Sequence, residues 1–257
     1  MLIEQTIERM RAMRMGGMAD SLRRWTEQGD RPPVDPPDLV GLLVDAEWID
    51  RENRKLTARL QKARFREAAC VEDIDYRPAR GLTKSAVLEL AGGRWIQERR
   101  NLIITGLTGV GKTYLACAIG NRACRDGFNV AYTRASRLYD DLYRAKADGS
   151  YPRFARRLVK ADLLILDDFG LEPLDAHARR SLLDIVEDRH RAASTLVTSQ
   201  LEPKNWHVVI GDETIADAIC DRIVHGAMRL KVAGESMRKV LSARRPKDDD
   251  GKSKSDA

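Results

Sequence analysis

Cysteine, histidine and aromatic residues are scarce in this chain of 257 residues, which has four cysteines, four histidines and 5% Phe, Trp and Tyr. The cysteines (Cys70, Cys117, Cys124, Cys220) form no CxxC pair and have no histidine at finger spacing, which excludes a disulfide frame and a zinc module. His177, His190, His207 and His225 share no spacing that would make them a ligand set. No apolar run reaches eighteen residues, so no membrane span is expected. No charged-then-apolar leader precedes a small-residue cleavage site, so the expected location is the cytoplasm. What the chain does have is charge, in 33% of its residues, beside 43% apolar residues that suffice for a core.

That charge is unevenly spread. Residues 1–80 hold 15 Lys and Arg against 15 Asp and Glu, and residues 171–257 hold 15 against 15. Residues 81–170 hold 15 against 9, so the whole net charge of +6 sits in the middle third. A concentrated positive field suits a polyanionic partner, although a solvated basic face has the same composition.

The amino-terminal part reads as helical. Leu2, Ile3, Ile7, Met10, Met13 and Met18 recur near a period of 3.6, which predicts a helix from Leu2 to Trp25 with a break at Gly16-Gly17. Four prolines between Arg31 and Asp38 make a connector. A second helix is expected from Pro37 or Asp38 to about Ala69, with Trp25 and Trp48 in the seam between the two. Residues 71–85 read as a joint. Beyond it, short apolar runs at 101–106, 129–134, 162–168 and 194–200 alternate with helical stretches at 113–126, 135–147 and 176–192. That alternation is the signature of parallel strands buried on both faces of a sheet. The expected organisation is a helical domain over 1–75, an α/β domain over 76–241 and a disordered charged tail over 242–257.

Between the first strand and its helix stand Gly106, Leu107, Thr108, Gly109, Val110, Gly111, Lys112 and Thr113, a complete GxxxxGK[ST]. Ordinary composition produces this pattern by chance in roughly 1% of chains of this length, and its strand-to-helix setting is the one phosphate binding requires. The loop turns backbone N–H groups toward phosphate oxygens, Lys112 reaches the β- and γ-phosphates, and Thr113 ligates Mg²⁺. Tyr114, next along the helix, joins the expected ATP-binding set. A second motif, LLILDDFG over 163–170, ends a buried strand in two acids. Asp167 is expected on the Mg²⁺ side, and Asp168 is placed to orient or deprotonate the attacking water. The fourth strand ends in Thr198-Ser199-Gln200, whose polar tip suits contact with that water or with the γ-phosphate.

The order of phosphate loop, LLILDDFG, TSQ, DRIV and GESMR resembles the AAA+ ATPases of the DnaC/IstB group, and most of all the IstB-type transposition helpers of bacterial insertion sequences. The likeness extends upstream through RMRAMRMGGMADSLRRW, AEWIDRENRKLTARLQKARF and VEDIDY, and covers roughly residues 1–240. It implies a P-loop AAA+ parallel-sheet fold with a small amino-terminal helical domain. With 19 residues after Arg238, the usual helical lid is not expected. It further implies ATP and Mg²⁺ as cofactors, DNA-stimulated hydrolysis, a cognate transposase as partner, and homo-oligomers on duplex DNA bound without sequence preference. Replicative helicase loading is the alternative activity within the group. By motif, Thr198 and Ser199 fall on the γ-phosphate sensor, with Ser199 as the catalytic residue. Arg222 falls on the arginine finger that reaches a neighbouring subunit, and Arg238 on the SMR arginine beside the nucleotide. Asp168 replaces the glutamate of most AAA+ proteins, which implies slow hydrolysis. In initiator-type relatives a helix inserted between strands two and three faces DNA; here that region carries Arg137, Arg144, Lys146, Arg153, Arg156 and Arg157. The same region also reads as a solvated face with Tyr139, Tyr143 and Phe154 turned into the core.

Overall fold

In the computed structural model, residues 2–27, 29, 33 and 35–237 are described. Arg238, the tail from Ser242, and Arg31, Pro32 and Val34 of the connector lie outside them. The chain divides into two compact units, Met1–Gln61 and Lys62–Ala257.

The first unit is helical: α1 (Leu2–Ala12), α2 (Gly16–Glu27) and most of α3 (Pro36–Ala63). The break between the first two helices falls at Met13–Met15, where Arg14 takes φ +60°, and not at the glycine pair. Gly16 and Gly17 instead begin α2, because α2 starts in close contact with α3. A Cβ on Gly17 would lie 2.5 Å from the Ala46 carbonyl oxygen and 2.8 Å from the Glu47 Cα. The buried Glu47 carboxylate accepts from the N–H groups of Gly17 (2.8 Å) and Met18 (3.3 Å), satisfying donors that a helix start leaves open. The face of α3 that receives α2 therefore carries Ala46, Glu47 and Asp50. Trp48 lies on a different face at 67% exposure, so its expected place in the seam is not observed; Trp25 is half-buried.

α3 ends at Ala63, short of Ala69, because Arg64 adopts the left-handed conformation (φ +57°). The chain then runs irregularly across the second unit, where Ala69, Val71 and Ile74 are buried. The Phe65 ring packs closely over Gly120 and meets Tyr132 edge-on at 6.4 Å. The residues between 62 and 75 thus pack with the second unit.

That unit continues with α4 (Lys84–Ala91), α5 (Arg94–Gln97), β1 (Leu102–Thr105), α6 (Lys112–Arg125), β2 (Val130–Arg134), α7 (Ala135–Ala147), α8 (Tyr151–Val159) and β3 (Leu163–Phe169). It closes with α9 (Ala176–Arg189), β4 (Ser194–Ser199), α10 (Trp206–Ile210), α11 (Glu213–Val224) and β5 (Met228–Lys231). All strands pair in parallel, in the order β2-β3-β4-β1-β5. The four apolar runs are the four buried strands. β5 departs from that pattern: Met-Arg-Leu-Lys alternates half-buried and exposed residues on an edge, so it lacks a continuous apolar run. Because β4 lies between β1 and β3, the carboxyl ends of these three strands meet at one edge. There the loop after β1, the acids of β3 and the polar tip of β4 converge.

Arg189 anchors the opposite edge. It is fully buried with no carboxylate among its hydrogen-bond partners in the described residues. It donates to the carbonyls of Leu158 (2.6 Å), Ala161 (2.8 Å) and Ser194 and to the Thr195 hydroxyl (3.2 Å). Burial brings its pKa down to about 10, so it remains charged at neutral pH.

Candidate nucleotide site

The loop from Gly106 to Gly111 leaves β1 and enters α6 at Lys112. Gly111 is left-handed (φ +94°), a conformation that a side chain disfavours, and a Cβ there would sit 2.9 Å from Arg80 Nη2. Arg80 is buried and braces the loop from outside, donating to the carbonyls of Val110 (2.8 Å) and Asp75 (2.6 Å). Lys112 is buried, and its ammonium donates to the carbonyls of Gly106 (2.8 Å) and Leu107 (2.9 Å). Burial pulls its pKa down, against the opposing pull of Asp168 and Asp167. Thr108 donates to Gln200 Oε1 (2.8 Å), which ties the loop to the tip of β4.

Asp167 is the centre of the arrangement and is completely buried. Three hydroxyls converge on its carboxylate: Thr113 at 3.0 and 3.1 Å, Thr198 at 2.6 Å and Tyr132 at 2.7 Å. Burial, then the neighbouring Asp167 charge, push the Tyr132 phenol far up, so that it keeps its proton and donates. Asp168 follows in the left-handed conformation (φ +58°), where the register between β3 and β4 shifts. Its N–H donates to Thr198 Oγ1 (3.0 Å), and Arg134 and Arg66 stand 3.5 and 3.8 Å from its Oδ2. Ser199, expected as the polar contact, spends its hydroxyl on backbone instead: it donates to the Phe169 carbonyl (2.7 Å) and accepts from Leu201 N–H (3.0 Å). Thr198 is the residue of that pair that touches both acids.

The structure brings Lys112, Thr113, Asp167 and Asp168 together with Thr198 and Tyr132. Arg222 is elsewhere. Its carbonyl accepts from Asn101, the residue before β1, whereas Lys112 follows the loop after that strand. Four strand residues separate the two edges by about 13 Å. Arg222 pairs there with Glu187 (2.6 Å) on the surface. Near the loop, the segment before Arg238 lies close: Met237 N–H donates to the Gly109 carbonyl (2.8 Å), and Ala233 N–H to the Arg80 carbonyl (3.0 Å). Arg137, Arg144, Lys146, Arg153, Arg156 and Arg157 are exposed on α7 and α8. Lys146 stacks on Tyr151 and Arg157 on Phe154; Tyr143, expected inside on the solvated-face reading, is 67% exposed.

Sequence comparison places this geometry among known proteins. The family model described as IstB-like ATP binding protein matches residues 8–244. The chain belongs to the IstB-like ATP-binding protein family. It is 46% identical over 239 residues to an insertion sequence ATP-binding protein of Sinorhizobium fredii, covering 93% of this chain and 98% of that one. With the insertion sequence IS21 ATP-binding protein of Pseudomonas aeruginosa it shares 30% identity over 236 residues, 92% of this chain and 88% of the relative. Among solved structures, the DnaC helicase loader superposes with a TM-score of 0.54 at 19% identity, over 64% of this chain and 96% of that one. AMPPCP-bound DnaA from Aquifex aeolicus gives 0.57 at 18% identity over 70% of this chain, which spans about half (55%) of the DnaA chain. At such identities the likeness is one of fold: the α/β P-loop AAA+ ATPase domain. Among the described residues no helix is long and apolar enough to cross a membrane.

Three residues at the site carried no signal in the sequence. Tyr132 lies in a run, VAYTR, that reads as ordinary strand, Arg66 falls within the stretch that reads as the second helix, and Arg134 stands at a strand end. Their partners lie far along the chain, so spacing cannot reveal them.

Proposed function

We propose that this chain hydrolyses ATP as the helper of an insertion-sequence transposase, and that it works as a homo-oligomer assembled on duplex DNA without sequence preference. The observation that supports this best is the convergence of Lys112, Thr113, Asp167 and Asp168 at the carboxyl edge of the sheet. In this reading residues 106–114 cradle the triphosphate through loop N–H groups, the Lys112 ammonium and the first turn of α6. Thr113 and Asp167 offer hard oxygens 3.0–3.1 Å apart. This suits Mg²⁺, which takes few protein ligands and leaves the remainder to phosphate and water. When bound, Mg²⁺ neutralises charge on the phosphates. Asp168 orients the attacking water and accepts its proton. Thr198 holds the two acids in place, with Ser199 behind it. Arg238, the residue after Met237 in the chain, is assigned to the nucleotide as well. Arg222, on the far edge of the sheet, serves the nucleotide of a neighbouring subunit. The arginines of α7 and α8 take DNA phosphates.

Helicase loading shares this fold. The insertion-sequence reading is preferred because the relatives so named match over more than nine-tenths of the chain and the family match begins at residue 8. The test is particle size and ATPase rate with and without long duplex DNA. ATP and DNA together are expected to yield assemblies much larger than either alone, with faster turnover per subunit. A particle of constant size whose ATPase ignores DNA would contradict the proposal.

A further inference from the structure

Among the described residues, the Tyr132 hydroxyl has one hydrogen-bond partner, Asp167 Oδ2 at 2.7 Å. Residue 132 stands opposite Ile165 in the β2–β3 register, and Arg134 stands opposite Asp167. Alternate residues share a face of a strand, so Tyr132 and Asp167 lie on the same side and the phenol reaches along the sheet to the acid. The ring itself is held by packing: Tyr132 is 8% exposed and its ring meets Phe65 edge-on. Phenylalanine would fill the same space. The hydroxyl therefore adds nothing to the packing; what it adds is a third donor on a buried carboxylate.

The three donors divide the carboxylate between them. Thr198 holds Oδ1, Tyr132 holds Oδ2, and Thr113 lies nearly equidistant from both. Two donors on opposite oxygens, each fixed in its own strand, stop the carboxylate from rotating about its last bond. Its plane is thereby locked toward Thr113, the other hard-oxygen group. We propose that Tyr132 is a positioning residue: its hydroxyl orients Asp167 so that a divalent cation strengthens nucleotide binding. This rests on the reading of Thr113 and Asp167 as the Mg²⁺ side of a nucleotide site. Groups that orient metal-binding side chains typically contribute 10- to 100-fold in metal affinity or activity.

The test is binding of a fluorescent ATP analogue to the full chain in Mg²⁺ and in EDTA, for the parent, Tyr132→Phe, Asp167→Asn and the double variant. The parent should bind more tightly in Mg²⁺. Tyr132→Phe should bind as the parent does in EDTA, within about twofold, while the gain from Mg²⁺ falls by about tenfold. In the Asp167→Asn background Tyr132→Phe should change nothing further, because its only route of action has been removed. An undiminished Mg²⁺ gain in Tyr132→Phe, or an equal loss with and without Mg²⁺, would overturn the positioning role and leave the nucleotide reading standing. The second outcome would assign the phenol to packing. A further loss on top of Asp167→Asn would also overturn it. A parent whose binding ignores Mg²⁺ would overturn the reading of the site itself, and the proposal with it.

Discussion

Burying a lysine is unfavourable unless its ammonium is occupied, and Lys112 gives two of its donors to loop carbonyls six and five residues back. The same ammonium is the only cationic side chain within the loop motif, so its loss leaves triphosphate charge uncompensated. Lys112→Ala is expected to weaken ATP binding by at least about 30-fold, measured by titration with a fluorescent analogue. Asp168 can be tested more cleanly than most acids. Asparagine tolerates the left-handed backbone that Asp168 adopts, so Asp168→Asn removes the charge without disturbing the turn. It should preserve ATP affinity and lower kcat by about 100-fold or more; parental turnover would remove Asp168 from the water-orienting role. Lys112 and Thr113 were legible in the sequence because the loop motif has a fixed local spacing, and both acids because they end a continuous apolar run. Tyr132, Arg66 and Arg134 were not, since only the folded sheet brings them to the acids. The choice between Thr198 and Ser199 was equally closed to sequence, because it turns on which hydroxyl meets the Asp167 carboxylate and which meets backbone in the folded sheet.

At the scale of elements, the four buried strands could be read directly because burial on both faces demands continuous apolar runs. The exposed edge strand β5 obeys a different pattern and escaped. Helix ends failed where a non-glycine residue does the terminating: Arg14 and Arg64 both adopt positive φ, a role arginine seldom signals. Gly17 misled for the opposite reason, being required by the contact between α2 and α3 rather than by a turn. The basic pair α7 and α8 supports a prediction of its own. Arg153, Arg156 and Arg157 stand on one short exposed helix, and every phosphate they neutralise releases counterions. DNA affinity should fall steeply with salt and depend little on sequence. Replacing the three arginines together should flatten the log–log salt dependence by about 0.9 for each phosphate no longer neutralised. An unchanged slope would move the DNA surface to another face.

For the molecule as a whole, the decisive fact is that Arg222 and Lys112 occupy opposite edges of the sheet. In the proposed function an arginine so placed serves the nucleotide of another copy of the chain, and turnover is then a property of the assembly. Arg222→Ala should leave ATP binding intact and lower turnover on DNA by about 10³-fold or more. The most direct measurement mixes Arg222→Ala subunits with Lys112→Ala subunits on DNA and follows phosphate release. Where a Lys112→Ala subunit lends its arginine to the intact phosphate loop of an Arg222→Ala neighbour, activity should partly return. A co-assembled mixture as inactive as its two components would contradict a nucleotide site completed between subunits.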